Sequence, residues 1–269
     1  MQPLYDTIGL SYSQTRCADA AITATLAELL AVQAQGDYLD LACGSGNYTL
    51  ALAALAGAWH GVDISETMIR QASAHRASQQ HPHHSSIHWQ LGKANALPYA
   101  NDFFDGVICT LAIHHFADLH QSFREVHRVM HEGRFVLFTA FPKQMRGYWL
   151  CHYFPQMMKR AIAQMPTEAA VTNALHAAGF EVERVVPFCV SNALEDLFLY
   201  SGKARPEQYL DPQVRANMSS FASLCCDTEL AAGLQRLKQD IESGAFSQVA
   251  DSYRIGQGDY AYVVARKSL

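Results

Sequence analysis

Two aspartates and two glycines carry the clearest chemical signal in this chain. Asp40, Gly44 and Gly46 lie in YLDLACGSGNYT, and Asp63 lies in GVDIS, nineteen positions after Gly44. An apolar run that ends in an acid and turns through Gly-x-Gly brings bare backbone to a ligand where a strand feeds a helix. Thr49 occupies the place of the third glycine of a dinucleotide fingerprint. No Gly-Lys-Ser/Thr ending is present for a nucleoside triphosphate. A carboxylate at Asp40 would repel a pyrophosphate and attract an ammonium group. At its offset, Asp63 suits the hydroxyls of a ribose.

A ribose together with a cationic amine describes S-adenosylmethionine, whose methionine end carries the amine. His114 and His115 follow a strand by a few residues, at the edge where open α/β sheets bind ligands. Each is a candidate general base, His115 ahead of His114, with a structural role for both as the alternative. Tyr12 and Arg16 are four apart and share a helix face, where Arg16 could clamp a carboxylate bidentately or simply be solvated. The segment RGYWLCHYFPQMMKR, residues 146–160, is dense in aromatics. Tyr148, Trp149 and His152, with Tyr200, are expected to wall a mostly apolar pocket for a flat small molecule, the alternative being packing against residues 191–258. The histidines at 81, 83, 84 and 88 lack a nearby Cys or carboxylate and read as a surface loop, so no metal is expected.

Alternating elements position these groups. Helical spacing marks residues 15–34, and strands are expected at 38–42, 59–64, 87–91, 106–110 and 134–140, with helices between them except before the fourth, which follows the turn NDFFD. Another helix runs from 166 to Gly179, and strands follow at 181–190 and 260–266. The pattern implies an α/β fold: a Rossmann-like, doubly wound, seven-stranded, mostly parallel sheet with its last strand antiparallel and a helical lid insertion. A single domain over 1–269 is expected. Residues 1–142 form the cofactor-binding core, 143–166 and 191–258 are substrate-lid insertions, and 167–190 and 259–269 complete the sheet.

At 269 residues with 49% hydrophobic and 17% charged side chains, the chain can bury a sizeable core. A net charge of −5 argues against nucleic acid and anionic membranes as partners. The seven cysteines form no C-x-x-C pair, and no run has the length of a membrane span or signal peptide. The expectation is a soluble, reduced, cytoplasmic protein.

LDLACGSGNYT, GVDIS, GKANALPY and FDGVICTLAIHHF, in that order, resemble the class I S-adenosylmethionine-dependent methyltransferases. The nearest branch is the small-molecule type 11 group, related to ubiquinone/menaquinone methyltransferases. YDTIGLSYSQTR resembles the N-terminal helix that closes over the cofactor in such enzymes. The resemblance implies methyl transfer to O, N or C of a small molecule, of the kind met in secondary metabolism, with S-adenosylhomocysteine as product. Ala42, Gly44 and Gly46 would meet the methionine half of the cofactor and Asp40 its amine. Asp63 would bridge the ribose diol, Ile64 and Met68 would flank adenine, and Ala94 would offer its amide. Thr110 and Leu111 would line the sulfonium. Lys93 departs from the acceptor Asp of many relatives, leaving Asn95 or a carbonyl to take the adenine amino group. The alternatives left open are a cofactor-binding protein without methyl transfer and a nucleotide-dependent oxidoreductase.

Overall fold

The computed structural model describes Asp6 and residues 15–78, 87–254 and 256–267. Tyr12 and the histidines at 81, 83 and 84 lie outside them. Helix α1 (Ala20–Leu30) is shorter than the spacing predicted, because Asp19 caps it from an extended conformation and accepts from the backbone N–H groups of Ala21 and Ile22. Strand β1 (Asp37–Leu41), α2 (Asn47–Ala53), β2 (Ala58–Asp63), α3 (Glu66–Ser78) and β3 (Ile87–Leu91) follow in alternation, and β3 leads to β4 (Phe104–Thr110) with no helix between them. Then come α4 (Leu119–Val129) and β5 (Met130–Thr139). Helix gives way to strand at Met130, four residues before the predicted strand start, because Met130 is already extended and pairs with Phe104.

The sheet order is β3-β2-β1-β4-β5-β7-β6, with β6 (Phe180–Phe188) and β7 (Tyr260–Lys267). The first five strands run parallel, and β7 runs antiparallel between β5 and β6. This is the expected sheet, and its strand order reverses between β1 and β4, where open α/β sheets hold ligands. Alternation along β5 sends Phe135 and Leu137 to one core and Val136 and Phe138 to the other. Burial on both faces explains why the strands read as continuous apolar runs.

Between β5 and β6 lie α5 (Pro142–Met145), α6 (Leu150–Tyr153), α7 (Pro155–Gln164) and α8 (Glu168–Ala177). Between β6 and β7 lie a 3₁₀ turn (Pro206–Leu210), α9 (Pro212–Ala216), α10 (Ser219–Leu224), α11 (Asp227–Ser243) and α12 (Phe246–Ser252). Trp149, Phe154, Tyr209, Phe221 and Leu237 from these insertions join the same buried cluster as Tyr38, Val136 and Tyr262 of the sheet. No helix among the described residues is long and apolar enough to cross a membrane.

Candidate active site

The loop after β1 is built in left-handed backbone: Ala42 has φ 58°, Gly44 54° and Gly46 77°. Asp63 holds it from the end of β2, its Oδ2 accepting from the Gly44 N–H at 2.9 Å and its Oδ1 from the Ser65 N–H at 2.8 Å. Burial raises the Asp63 pKa, and those backbone bonds oppose the rise. A Cβ on Gly44 would find only Met68 Sδ, at 4.0 Å, so the loop is open to a ligand there. Ser65 caps α3 through Met68 N–H, and its hydroxyl donates to Asp6. Asp6 is a contributor the spacing of residues did not reveal.

Asp40 lies beneath the loop, 1% exposed. Its Oδ2 accepts from Thr49 Oγ1 at 2.6 Å, while Oδ1 has no partner. Burial pushes its carboxyl up to about 7 against the bond from Thr49. An orphaned carboxylate oxygen, an open glycine and the Asp63 carboxylate suit a ligand with an amine and a diol.

Gly46 has a different part from the one its motif suggests. A Cβ there would stand 2.4 Å from Trp89 and 3.1 Å from Ala72 Cβ, so this glycine lets α2 pack on β3 and α3 rather than admitting a ligand. Gly46→Ala is expected to lower the melting temperature by several degrees, because about 1–2 kcal/mol of left-handed strain adds to that clash. Calorimetric melting checks this, and Trp89→Leu in the same chain should recover part of the loss.

A cavity of about 590 Å³ opens at the carboxyl ends of β1, β2 and β4. One side is walled by Ala42, Gly44, Asp63, Ile64 and Met68, and by Ala94, Asn95, Thr110 and Leu111 as anticipated. Asp40 is not on the wall, so a group in the cavity reaches it only through the loop or a water. The other side was largely missed: Met145, Ala161, Met165, Phe198, Met218 and Tyr260 come from the insertions and β7. They come from helices, turns and a strand, and an apolar residue in any of these reads the same whether it faces a core or a cavity, so no local signal separates them.

A methyltransferase-domain family model matches residues 39–138. A solved structure from Anabaena variabilis, assigned as a methyltransferase of an antibiotic biosynthesis pathway, is 31% identical. It covers 95% of this chain and 100% of its own, with a TM-score of 0.82. The chain belongs to the class I S-adenosylmethionine-dependent methyltransferases. The uncharacterised methyltransferase YcgJ of Bacillus subtilis is 35% identical over 39% of this chain and 41% of its own length. The demethylmenaquinone methyltransferase of Symbiobacterium thermophilum is 38% identical over 39% of this chain and 43% of its own. The chain thus spans under half the length of these curated relatives.

In this class I member the two histidines sit where β4 ends. Leu111, at φ 53°, donates its N–H to Phe138 O, and Ile113–His115 form a 3₁₀ turn. The rings of His114 and His115 lie 4.0 Å apart, and both residues line the cavity. His114 Nδ1 is buried and unpartnered. Burial, helped by His115, drives the His114 pKa down to about 3, and burial lowers that of His115. General bases work best with a pKa near the working pH, so the proton-accepting role read from the sequence is weakened, most of all for His114.

Three other expectations change. Arg16 reaches the wall, but its guanidinium is engaged by Asp196, at 2.5 Å from Nε and 3.1 Å from Nη2, where a ligand carboxylate was expected. Trp149 and Tyr200 are buried in the core behind the cavity, where Trp149 Nε1 donates to Lys203 O and Tyr200 stacks on Tyr148 at 3.9 Å. His152 is exposed and faces Tyr153 and Tyr253. Of the four aromatic wall candidates only Tyr148 lines the cavity. Helix α6 packs instead against α11 of the large insertion.

Proposed function

We propose that this protein methylates a small molecule, using S-adenosylmethionine. The observation that carries the reading is one continuous cavity with two unlike sides. Acid, glycine and backbone groups stand at the sheet edge, and apolar side chains stand opposite. Bound S-adenosylmethionine would supply an activated methyl group. Asp63 would hold the ribose diol, Gly44 would let the methionine portion approach, Asp40 would take its amine through a water, and Thr110 and Leu111 would flank the sulfur. The lid residues would exclude water and align the acceptor, which is most of what such a displacement asks of a protein. Uncharged histidines at the end of β4 would add no repulsion toward a cation.

Transfer of isotopic label from methyl-labelled S-adenosylmethionine into a metabolite extract tests this. Label in a small-molecule product supports it. Label left wholly in the cofactor, with S-adenosylhomocysteine still binding, supports binding without transfer. The methyltransferase-domain match ends at residue 138, before both insertions, and the demethylmenaquinone methyltransferase match covers 39% of this chain, so neither identifies the acceptor.

Asp40 makes a pH prediction. Its folded pKa, about 7, stands above the ordinary 3.8. The free protein therefore keeps Asp40 largely protonated below pH 7, and the folded state loses stability as pH rises through that range. An ammonium held near it through a water favours the carboxylate, so binding below pH 7 expels a proton. Affinity for S-adenosylhomocysteine is expected to weaken by up to about tenfold per pH unit below 7, with proton release seen by calorimetry in buffers of differing ionisation enthalpy. Asp40→Asn should flatten the dependence. A flat profile in the unmodified protein would remove Asp40 from the amine site.

A further inference from the structure

Resting on the methyl-transfer reading, we infer that the acceptor is an uncharged, mainly apolar molecule that presents a hydroxyl to His114. The charges on the cavity wall set the first constraint. Among the described residues, Asp63 and Lys93 belong to the sheet-edge side, close to the glycine loop and the turn after β3. Arg16 is balanced by the bidentate carboxylate of Asp196, which also accepts from Tyr48 Oη at 3.1 Å. The lid side, with Met145, Ala161, Met165, Phe198 and Met218, therefore offers no uncompensated charge. A carboxylate, phosphate or ammonium placed there would lose its hydration without gaining a counter-ion, at a cost of several kcal/mol.

The second constraint is where hydrogen bonding remains open. The Tyr148 hydroxyl donates to Asp259 O, and the Tyr260 hydroxyl accepts from Tyr200 N–H at 3.2 Å. Ser122 Oγ donates to Asp118 O at 2.7 Å. Ser219, Ser220 and Gln164 add only neutral groups. Among the described residues, His114 is the cavity-lining residue whose side chain holds a buried polar atom without a partner, Nδ1, which a ligand meets once the ring turns toward the cavity. A buried polar atom without a partner is costly, and a ligand that supplies one gains by it. A hydroxyl both donates and accepts, so it satisfies this nitrogen in either tautomer of the neutral ring. The lowered His114 pKa agrees, since the ring stays uncharged at neutral pH.

The test uses the full chain saturated with S-adenosylhomocysteine and four probes on one skeleton: naphthalene, 2-naphthol, 6-hydroxy-2-naphthoate and 2-naphthylmethylammonium. Calorimetry should show 2-naphthol binding about tenfold or more tighter than each of the others, the worth of one satisfied buried group. His114→Phe should bring 2-naphthol down to the affinity of naphthalene. Asp196→Asn, which unmasks Arg16, should raise the affinity of the naphthoate and not that of the ammonium. Equal or tighter binding of either ion to the unmodified protein, an unchanged preference in His114→Phe, or no binding by any probe would overturn the inference. Failure to bind S-adenosylhomocysteine at the outset would instead overturn the methyl-transfer reading.

Discussion

Asp63→Ala is expected to lower the affinity for S-adenosylhomocysteine by about a hundredfold or more while the protein stays folded. Asp63 accepts backbone N–H bonds from Gly44 and Ser65, one to each oxygen, so it shapes the glycine loop and the start of α3 together. Each charge-assisted bond is worth about 1.5–3 kcal/mol, and in the proposed complex the ribose hydroxyls draw on the same carboxylate. Losing two such bonds corresponds to roughly a hundredfold or more in affinity. Asp63→Asn keeps one acceptor oxygen and should fall between the two. Calorimetry reads the affinity and circular dichroism the fold. An affinity within threefold of the unmodified protein would place the ribose elsewhere.

Trp149→Ala should destabilise the fold by about 3–5 kcal/mol, the usual cost of emptying a buried aromatic site. The ring is 1% exposed and meets Tyr153, Tyr209 and Phe246 edge-on, with centroids 4.9–5.8 Å away. Its Nε1–H···O bond to Lys203 is lost as well, leaving a buried carbonyl unpaired. A fall of roughly 10 °C in melting temperature follows for a chain of this size. Affinity for S-adenosylhomocysteine should hold, because Trp149 does not line the cavity. A variant that melts normally but loses acceptor binding would restore this residue to the pocket wall.

The two substitutions mark where reading the chain as a string of residues succeeds, at Asp63, and where it stops, at Trp149. Gly44 and Asp63 are nineteen apart in sequence, but each is set by its own strand end, so their meeting follows once β1 and β2 pair in parallel. The same local logic makes the alternating sheet and its antiparallel last strand legible. Gly46 shows the limit within the motif itself. Its left-handed backbone is readable from the glycine, yet the neighbour that forbids a side chain is Trp89, on another strand.

The lid is harder to read for a physical reason. An aromatic at helical spacing signals only that one face will be buried, and the choice of partner depends on elements far along the chain. Trp149 meets Lys203 and Tyr209, Tyr148 meets Tyr200 and Asp259, and Arg16 meets Asp196, at separations of 52 to 180 residues. Those pairings decide whether a side chain faces a ligand or a core. The sequence by itself determined the sheet, the glycine loop and the Asp63 position, since each rests on backbone geometry and strand order. Tertiary structure alone decided that the aromatic residues brace the lid from behind, that Arg16 is neutralised, and that His114, a residue of the cavity wall, keeps a buried unpaired nitrogen. Burial and charge balance are properties of the assembled neighbourhood, and no local spacing encodes them.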